Sequence, residues 1–276
     1  MSAYSQLKHR IANQFGKAAN SYDGAARLQR LTAELLWREL LREQPPQRCK
    51  VRPLGATLDL GCGTGLQLEA LATQSDSVCA MDLSIDMLKF ASRNIESQSV
   101  YWVRGDAEHL PFENNTFDTV FSNLMVQWCK NLDRVLAELY RVLKPGGKAV
   151  LSTLMQGSLS ELSQAWKSVD NYQHVNQFIS EQALRAEMAN SEFSRHELIQ
   201  RTLTLPYARL TGLTRELKKV GANVVTENAR PTPLGKADLQ RLLSAYETYR
   251  NNDGDLPATY QVGILVLERS DNGVKR

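Results

Sequence analysis

The chain has 276 residues and a formal net charge of +3, with 42% hydrophobic and 23% charged residues. That length allows one large domain or a domain with an appended lid, and the composition is that of an ordinary soluble globular protein. So small a charge gives no reason to expect a nucleic-acid partner. Cys49, Cys62, Cys79 and Cys129 lie too far apart for a zinc or disulfide framework, and no run of about 18 apolar residues predicts a membrane span.

Met1–Asn20 is polar and lacks the apolar centre of a signal peptide, so a cytoplasmic location is expected. Gln6–Ala19 reads as a helix with Leu7, Ile11 and Phe15 on one stripe, and Ala25–Leu41 as a second amphipathic helix. Phe15 reads as packing. Tyr22, polar-ended beside the break between the two helices, fits packing or a ligand contact. Gln44-Pro45-Pro46 to Pro53-Leu54-Gly55 reads as a linker.

From Ala56 short apolar runs alternate with helical periods. Strands are expected at Ala56–Leu60, Val78–Met81, Tyr101–Val103, Thr119–Phe121 and Lys148–Leu154. Helices are expected at Leu66–Ala72, Asp86–Ile95 (capped by Ser84) and Asp133–Leu143 (stopped by Pro145-Gly146-Gly147). Such alternation gives right-handed crossovers and a parallel sheet covered on both faces. Further on, Leu159–Val169, Leu210–Val220 and Lys236–Tyr249 read as helices. Glu197–Leu205 reads as a half-exposed edge strand and Tyr260–Leu267 as a final apolar strand. The expected fold is α/β, a doubly wound, mostly parallel seven-stranded sheet with an antiparallel last strand and helical lid insertions. Residues 1–52 would be a helical cap, 53–155 the cofactor core, and 156–276 the rest of the sheet with its insertions.

The core centres on Asp59-Leu60-Gly61-Cys62-Gly63-Thr64-Gly65. Glycines straight after a buried strand allow a tight turn and a close ligand. The Gly-x-Gly-x-Gly spacing differs from the Gly-x-Gly-x-x-Gly of pyrophosphate cradles, and Asp59 would repel a phosphate. Asp59, Asp82 and Asp106 close three successive strands, where an open parallel sheet binds its ligand. Each alone also reads as a turn or cap residue. Asp82, roughly 20 residues past the glycines, is placed for two ribose hydroxyls. Asp106 suits an exocyclic amino group, the backbone N–H of Ala107 a ring nitrogen, and Asp59 an ammonium. Together these describe S-adenosylmethionine.

The glycine stretch, Asp82, Gly105-Asp106-Ala107, Phe117-Asp118 and Leu143-Lys144-Pro145-Gly146-Gly147 resemble the class I S-adenosylmethionine-dependent methyltransferases over 56–154. A narrower resemblance runs nearly end to end. It is carried by Phe15-Gly16-Lys17-Ala18-Ala19, Ser21-Tyr22-Asp23, Ser122-Asn123-Leu124-Met125-Val126-Gln127-Trp128-Cys129, Gln156-Gly157-Ser158-Leu159, Lys219-Val220-Gly221-Ala222-Asn223 and Leu256-Pro257-Ala258-Thr259-Tyr260. These are similar to the malonyl-[acyl-carrier protein] O-methyltransferases of biotin synthesis. The resemblance implies methyl esterification of the free carboxylate of a malonyl thioester, so that fatty-acid synthesis extends an uncharged primer. It also implies an acidic carrier-protein partner; no nucleic-acid or membrane partner is expected, and a monomer is.

On that basis Lys17, Tyr22, Asp59, Gly61, Cys62, Gly63, Gly65, Asp82, Leu83, Met87, Asp106, Ala107 and Asn123 are expected at the cofactor. Tyr22 and Gln127 are expected to line the reacting cleft. Trp128 and His174 are expected toward the substrate, Trp128 with core packing as its rival. Between Arg195 and Lys219 the bases Arg195, Arg201, Arg209, Arg215, Lys218 and Lys219 face only Glu197 and Glu216. This is a solvated surface or a carrier dock formed by Arg209, Arg215, Lys218 and Lys219, with Arg209 or Arg215 forking the malonyl carboxylate. No metal site and no acid–base dyad is expected: His9, His109, His174 and His196 are scattered. The rival readings are a methyltransferase for a quinone precursor or another small carboxylate, and a base-modifying enzyme. The position after the fourth strand holds Ser122-Asn123-Leu124-Met125, without the prolines usual in the latter.

Overall fold

A computed structural model describes residues 3–42, 54–97, 99–226, 228 and 230–271. The proline-containing linker read from the sequence, up to Pro53, lies outside the described residues, as does Cys49. Seven strands form one sheet: β1 Ala56–Leu60, β2 Ser77–Asp82, β3 Val100–Arg104, β4 Phe117–Ser122, β5 Leu143–Leu154, β6 Arg195–Tyr207 and β7 Leu256–Glu268. Their order is β3-β2-β1-β4-β5-β7-β6. β1 to β5 pair in parallel, while β7 runs antiparallel between β5 and β6. The expected seven-stranded, mostly parallel sheet with an antiparallel last strand is the one observed.

Nine helices accompany the sheet among the described residues: α1 Ala3–Tyr22, α2 Arg27–Leu41, α3 Leu68–Gln74, α4 Ile85–Asn94, α5 Leu132–Val142, α6 Ser160–Trp166, α7 Glu181–Asn190, α8 Leu210–Lys219 and α9 Lys236–Glu247. Both sheet faces are covered. On one, Leu36, Leu71, Leu88, Leu162, Leu213 and Leu242 pack on Val78, Phe121, Val150 and Ile264. On the other, Leu136 and Leu139 of α5 and Leu184 and Met188 of α7 pack on Leu58, Leu60, Val120 and Leu265. A parallel strand buried on both faces must be apolar throughout, which is why β1, β2 and β4 read as continuous runs.

Several boundaries differ from the sequence reading. Helix α3 starts at Leu68, not Leu66, because the glycine turn runs on: Gly65 N–H bonds Cys62 O at 2.9 Å and Leu68 N–H bonds Gly65 O at 3.0 Å. Pro145-Gly146-Gly147 falls inside β5, where the register against β4 shifts and Gly146 has φ +77°. The start of the strand is bulged there, and a glycine takes the left-handed position. Helix α7 was not expected.

Candidate functional site

The strand order reverses between β1 and β4, and the cleft opens there, past the carboxyl ends of the strands. A first cavity of about 800 Å³ is walled by Leu60, Gly61 and Gly63 after β1, Met81 to Leu83 at β2, and Gly105 to Ala107 after β3. Met87 of α4 and Asn123 to Met125 after β4 complete its sheet side. Asp82 holds the glycine turn in place. Its Oδ2 accepts the Gly63 N–H at 2.9 Å and its Oδ1 the Ser84 N–H at 2.7 Å. Burial raises the Asp82 carboxyl, and these backbone N–H groups oppose that rise. Gly61 has φ +77°, and a Cβ there would stand 2.4 Å from Met125 Cγ. A bare backbone is therefore required beside the cavity.

Helix α1 closes this cavity from the side opposite the strands. Lys8, Ile11, Ala12 and Phe15, at i, i+3, i+4 and i+7, form one face toward it. The helix crosses the start of α4 at Gly16, where a Cβ would stand 2.9 Å from Ser84 Oγ. At the 3₁₀ turn Asp23–Ala25 the chain bonds back to the glycine turn: Thr64 Oγ1 donates to Asp23 Oδ1 at 2.5 Å.

A second cavity, about 1160 Å³, lies alongside and shares Phe15, Tyr22, Leu124 and Trp128 with the first. Its wall is largely apolar, from α2, α6, α8 and Tyr260 of β7. Gln29, Gln127, His174, Asn176, Glu216 and Asn223 are among its polar groups. Gln127 Nε2 donates to Leu124 O at 2.7 Å, while its Oε1 is buried with no partner among the described residues. His174 stacks on Trp166 with ring centroids 3.6 Å apart, and its Nε2 lies 2.8 Å from Asp170 Oδ1. Arg230 pairs with the same carboxylate at 3.0 Å.

Of the expected cofactor residues, Tyr22, Gly61, Gly63, Asp82, Leu83, Met87, Asp106, Ala107 and Asn123 line the first cavity. Lys17, Asp59, Cys62 and Gly65 do not. Asp59 is 3% exposed in β1, and burial, with the nearby Asp82 charge, pushes its carboxyl up to about 8. Burial also raises the Cys62 thiol. Asn123 is a structural tie as well as a wall residue. Its Oδ1 accepts from Thr32 and Ser152, and its Nδ2 donates to Gln29 O at 2.8 Å. Tyr22, Gln127, Trp128 and His174 all line the second cavity.

The basic residues of the α8 region lie elsewhere. Leu210 and Leu213 are buried, so Arg209, Arg215, Lys218 and Lys219 face solvent and line neither cavity. Neither Arg209 nor Arg215, the expected forks for a carboxylate, is in the cleft wall of the ligand-free structure, where α8 turns Glu216 and Leu217 to the second cavity. Sequence reasoning missed Lys8, Ile11, Ala12 and Met125 as cavity residues and favoured packing for Phe15. The stripe of α1 carried the signal, but its partner surface is remote in sequence.

Among the described residues no group of three His, Cys, Asp or Glu is placed to hold a metal ion. The polar groups at the first cavity fit a nucleoside: a carboxylate at the end of β2, another after β3, and a glycine turn whose bare backbone adjoins them.

The family model described as "Methyltransferase domain" matches residues 58–151. The "Biotin biosynthesis bifunctional protein BioHC" of Cellvibrio japonicus is 42% identical over 94% of this chain and 50% of its own length. The chain thus spans about half of such bifunctional relatives. Among solved structures, a putative methyltransferase from Bacillus halodurans is 21% identical, with a TM-score of 0.59 over 85% of this chain and 98% of that one; this likeness shows the fold. The "Malonyl-[acyl-carrier protein] O-methyltransferase" of a Marinomonas species is 35% identical over 96% of this chain and 95% of its own. An identity of that size across both full lengths means that this chain belongs to the malonyl-[acyl-carrier protein] O-methyltransferase family.

Proposed function

We propose that the chain methylates the free carboxylate of malonyl-[acyl-carrier protein], using S-adenosylmethionine, in the biotin route named for its relatives. The observation that carries this reading is the shared wall: a strand-end cavity lined by Asp82 and Asp106 and a larger cavity beside it meet at Phe15, Tyr22, Leu124 and Trp128. Two reactants held on either side of that junction can meet in line.

The cofactor when bound supplies a sulfonium methyl group, which the carboxylate oxygen takes while the sulfur keeps the electron pair. A malonyl carboxyl has a pKa near ~4 and is ionised at neutral pH, so no residue need act as base. The work of the chain is binding, alignment and exclusion of water. Asp82 would take the ribose hydroxyls and Asp106 the adenine amino group. Tyr22 stands at the junction beside Gln29; burial and the Asp82 and Asp23 charges raise its phenol, whose proton would go to the carboxylate oxygen as a hydrogen bond. Gln127 has an unmatched acceptor in the second cavity's wall, suited to an N–H of the carrier's amide-bearing arm.

The exposed bases Arg209, Arg215, Lys218 and Lys219 would dock the acidic carrier. Thr214, Glu216 and Leu217 of the same helix wall the second cavity, so a carrier seated outside α8 has a short path for its arm. No helix among the described residues is long and apolar enough to cross a membrane, consistent with work in the cytoplasm.

The test is transfer of label from S-adenosylmethionine to malonyl-carrier protein, malonyl-coenzyme A, a quinone precursor and RNA in parallel. A labelled methyl ester, released as labelled methanol by alkali, is expected on the carrier substrate; its absence there, with label on another acceptor, overturns the reading.

A further inference from the structure

Helix α1 serves both cavities, and what holds it down is polar and nearly buried. Lys8 Nζ pairs with Asp106 Oδ2 at 2.5 Å and with Glu108 Oε2 at 2.6 Å; the Glu108 side chain is 1% exposed and that of Lys8 15%. One turn earlier, Tyr4 Oη donates to Glu108 Oε1 at 2.7 Å and accepts the Lys130 N–H at 3.0 Å. The Asn131 N–H also donates to Glu108 Oε1, at 2.7 Å. Burial works against a charged Glu108, yet the bonds from Lys8, Tyr4 and Asn131 prevail and hold its carboxyl below the usual range. Lys8 is raised: burial lowers it, and the two carboxylates more than offset that.

The same lysine touches the cofactor side. Asp106 Oδ1 accepts the Glu108 N–H at 3.1 Å while Lys8 takes Oδ2. The Asp106 side chain, 30% exposed, is thereby held in one orientation on the wall of the first cavity.

We propose that Lys8 is a positioning residue of the cofactor site and the latch of a strap formed by α1. With the latch closed, α1 covers the first cavity, and a bound nucleoside cannot leave without Lys8 and Tyr4 parting from Glu108. Because Phe15 and Tyr22 ride on the same helix, the second cavity has its full wall only when the strap is down. Cofactor therefore binds before the carrier substrate, and the demethylated cofactor leaves last. The identity of the retained nucleoside rests on the methyl-transfer reading above; the latch itself does not.

The experiment compares wild type with Lys8→Met, Lys8→Arg and Tyr4→Phe in two readouts. One is the dissociation rate of S-adenosylhomocysteine by stopped-flow tryptophan fluorescence, and the other is amide hydrogen exchange along α1 in the ligand-free chain. Cutting one partner from a nearly buried pair acts mainly on the off-rate, so Lys8→Met should release the ligand about tenfold faster and exchange faster along α1. Lys8→Arg should restore both to within about twofold, and Tyr4→Phe should lie between. Wild-type release and exchange in a folded Lys8→Met would overturn the latch. Should Lys8→Met not fold, Tyr4→Phe decides, with unchanged values counting against it. If wild type itself fails to bind S-adenosylhomocysteine, the methyl-transfer reading falls, and exchange along α1 still decides the latch.

Discussion

The ring of Phe15 meets the indole of Trp128 edge to face, with centroids 5.2 Å apart, and both residues wall both cavities. This aromatic contact, worth about 0.5–1.5 kcal/mol beyond its burial, sits where the two reactants would meet. Phe15→Ala should merge the cavities and, because Phe15 is only half-buried, cost no more than about 3 kcal/mol of stability, the low end for a phenylalanine. Because alignment suffers more than binding, kcat should fall by tenfold or more, an order-of-magnitude expectation, while S-adenosylhomocysteine affinity changes less. Thermal unfolding and single-turnover transfer check both halves; a variant with full single-turnover rate would show that the pair is packing only.

Tyr22 closes α1 at the same junction. Tyr22→Phe keeps the ring and removes only the hydroxyl. If the phenol donates to the reacting carboxylate, kcat/KM should drop roughly ten- to hundredfold, about the loss of one hydrogen bond to a charged group. Full activity with unchanged cofactor affinity would rule that role out.

Arg215 and Lys219 are one turn apart on the solvent side of α8. Reversing both to Glu should raise KM for the carrier-bound substrate and flatten its salt dependence, since the charge that salt screens is gone. Malonyl-coenzyme A, lacking the acidic protein, should be handled as by the wild type. Steady-state kinetics at two ionic strengths distinguish this face from an ordinary solvated one: an unchanged KM means the carrier docks elsewhere.

Asp59 gives a pH signature. Its carboxyl is raised to about 8 in the fold by burial and by Asp82, against about 4 in an unfolded chain. Folding thus favours the protonated form. That contribution is complete below about pH 4 and is lost as pH rises toward 8, at up to about 1.4 kcal/mol per pH unit. Ligand-free wild type should therefore lose thermal stability across this window more steeply than Asp59→Asn, which cannot ionise. Parallel slopes from the two proteins would contradict a protonated Asp59 in the ligand-free fold.

The half of the molecule legible in sequence was the half whose signals are local. Strands β1, β2 and β4 are buried on both faces and so read as apolar runs, and Asp82 and Asp106, at the ends of β2 and β3, open on the cleft as their positions imply, while Asp59 stays buried in β1. Lys8 could not be read this way, because its partners Asp106 and Glu108 lie 98 and 100 residues away and only the folded sheet brings them together. Helix α7 escaped because Leu184 and Met188 are its only buried residues, too few for a period to stand out among its polar neighbours. On α8 the bases drew attention, yet the spacing Leu210, Leu213, Leu217 already implied that they point outward and that Glu216 flanks the buried side.

The position of β7 sets an order of construction. Strands β1 to β5 follow one another along the chain and can pair as they emerge from the ribosome. Strand β6 cannot: its neighbour in the sheet is β7, made after α8 and α9. The nucleoside half is thus buildable early, while the wall that would choose the acceptor waits for Leu256–Glu268. A chain cut short between α9 and β7 should keep the first capacity and lack the second, leaving a captor of cofactor with nothing to give it to.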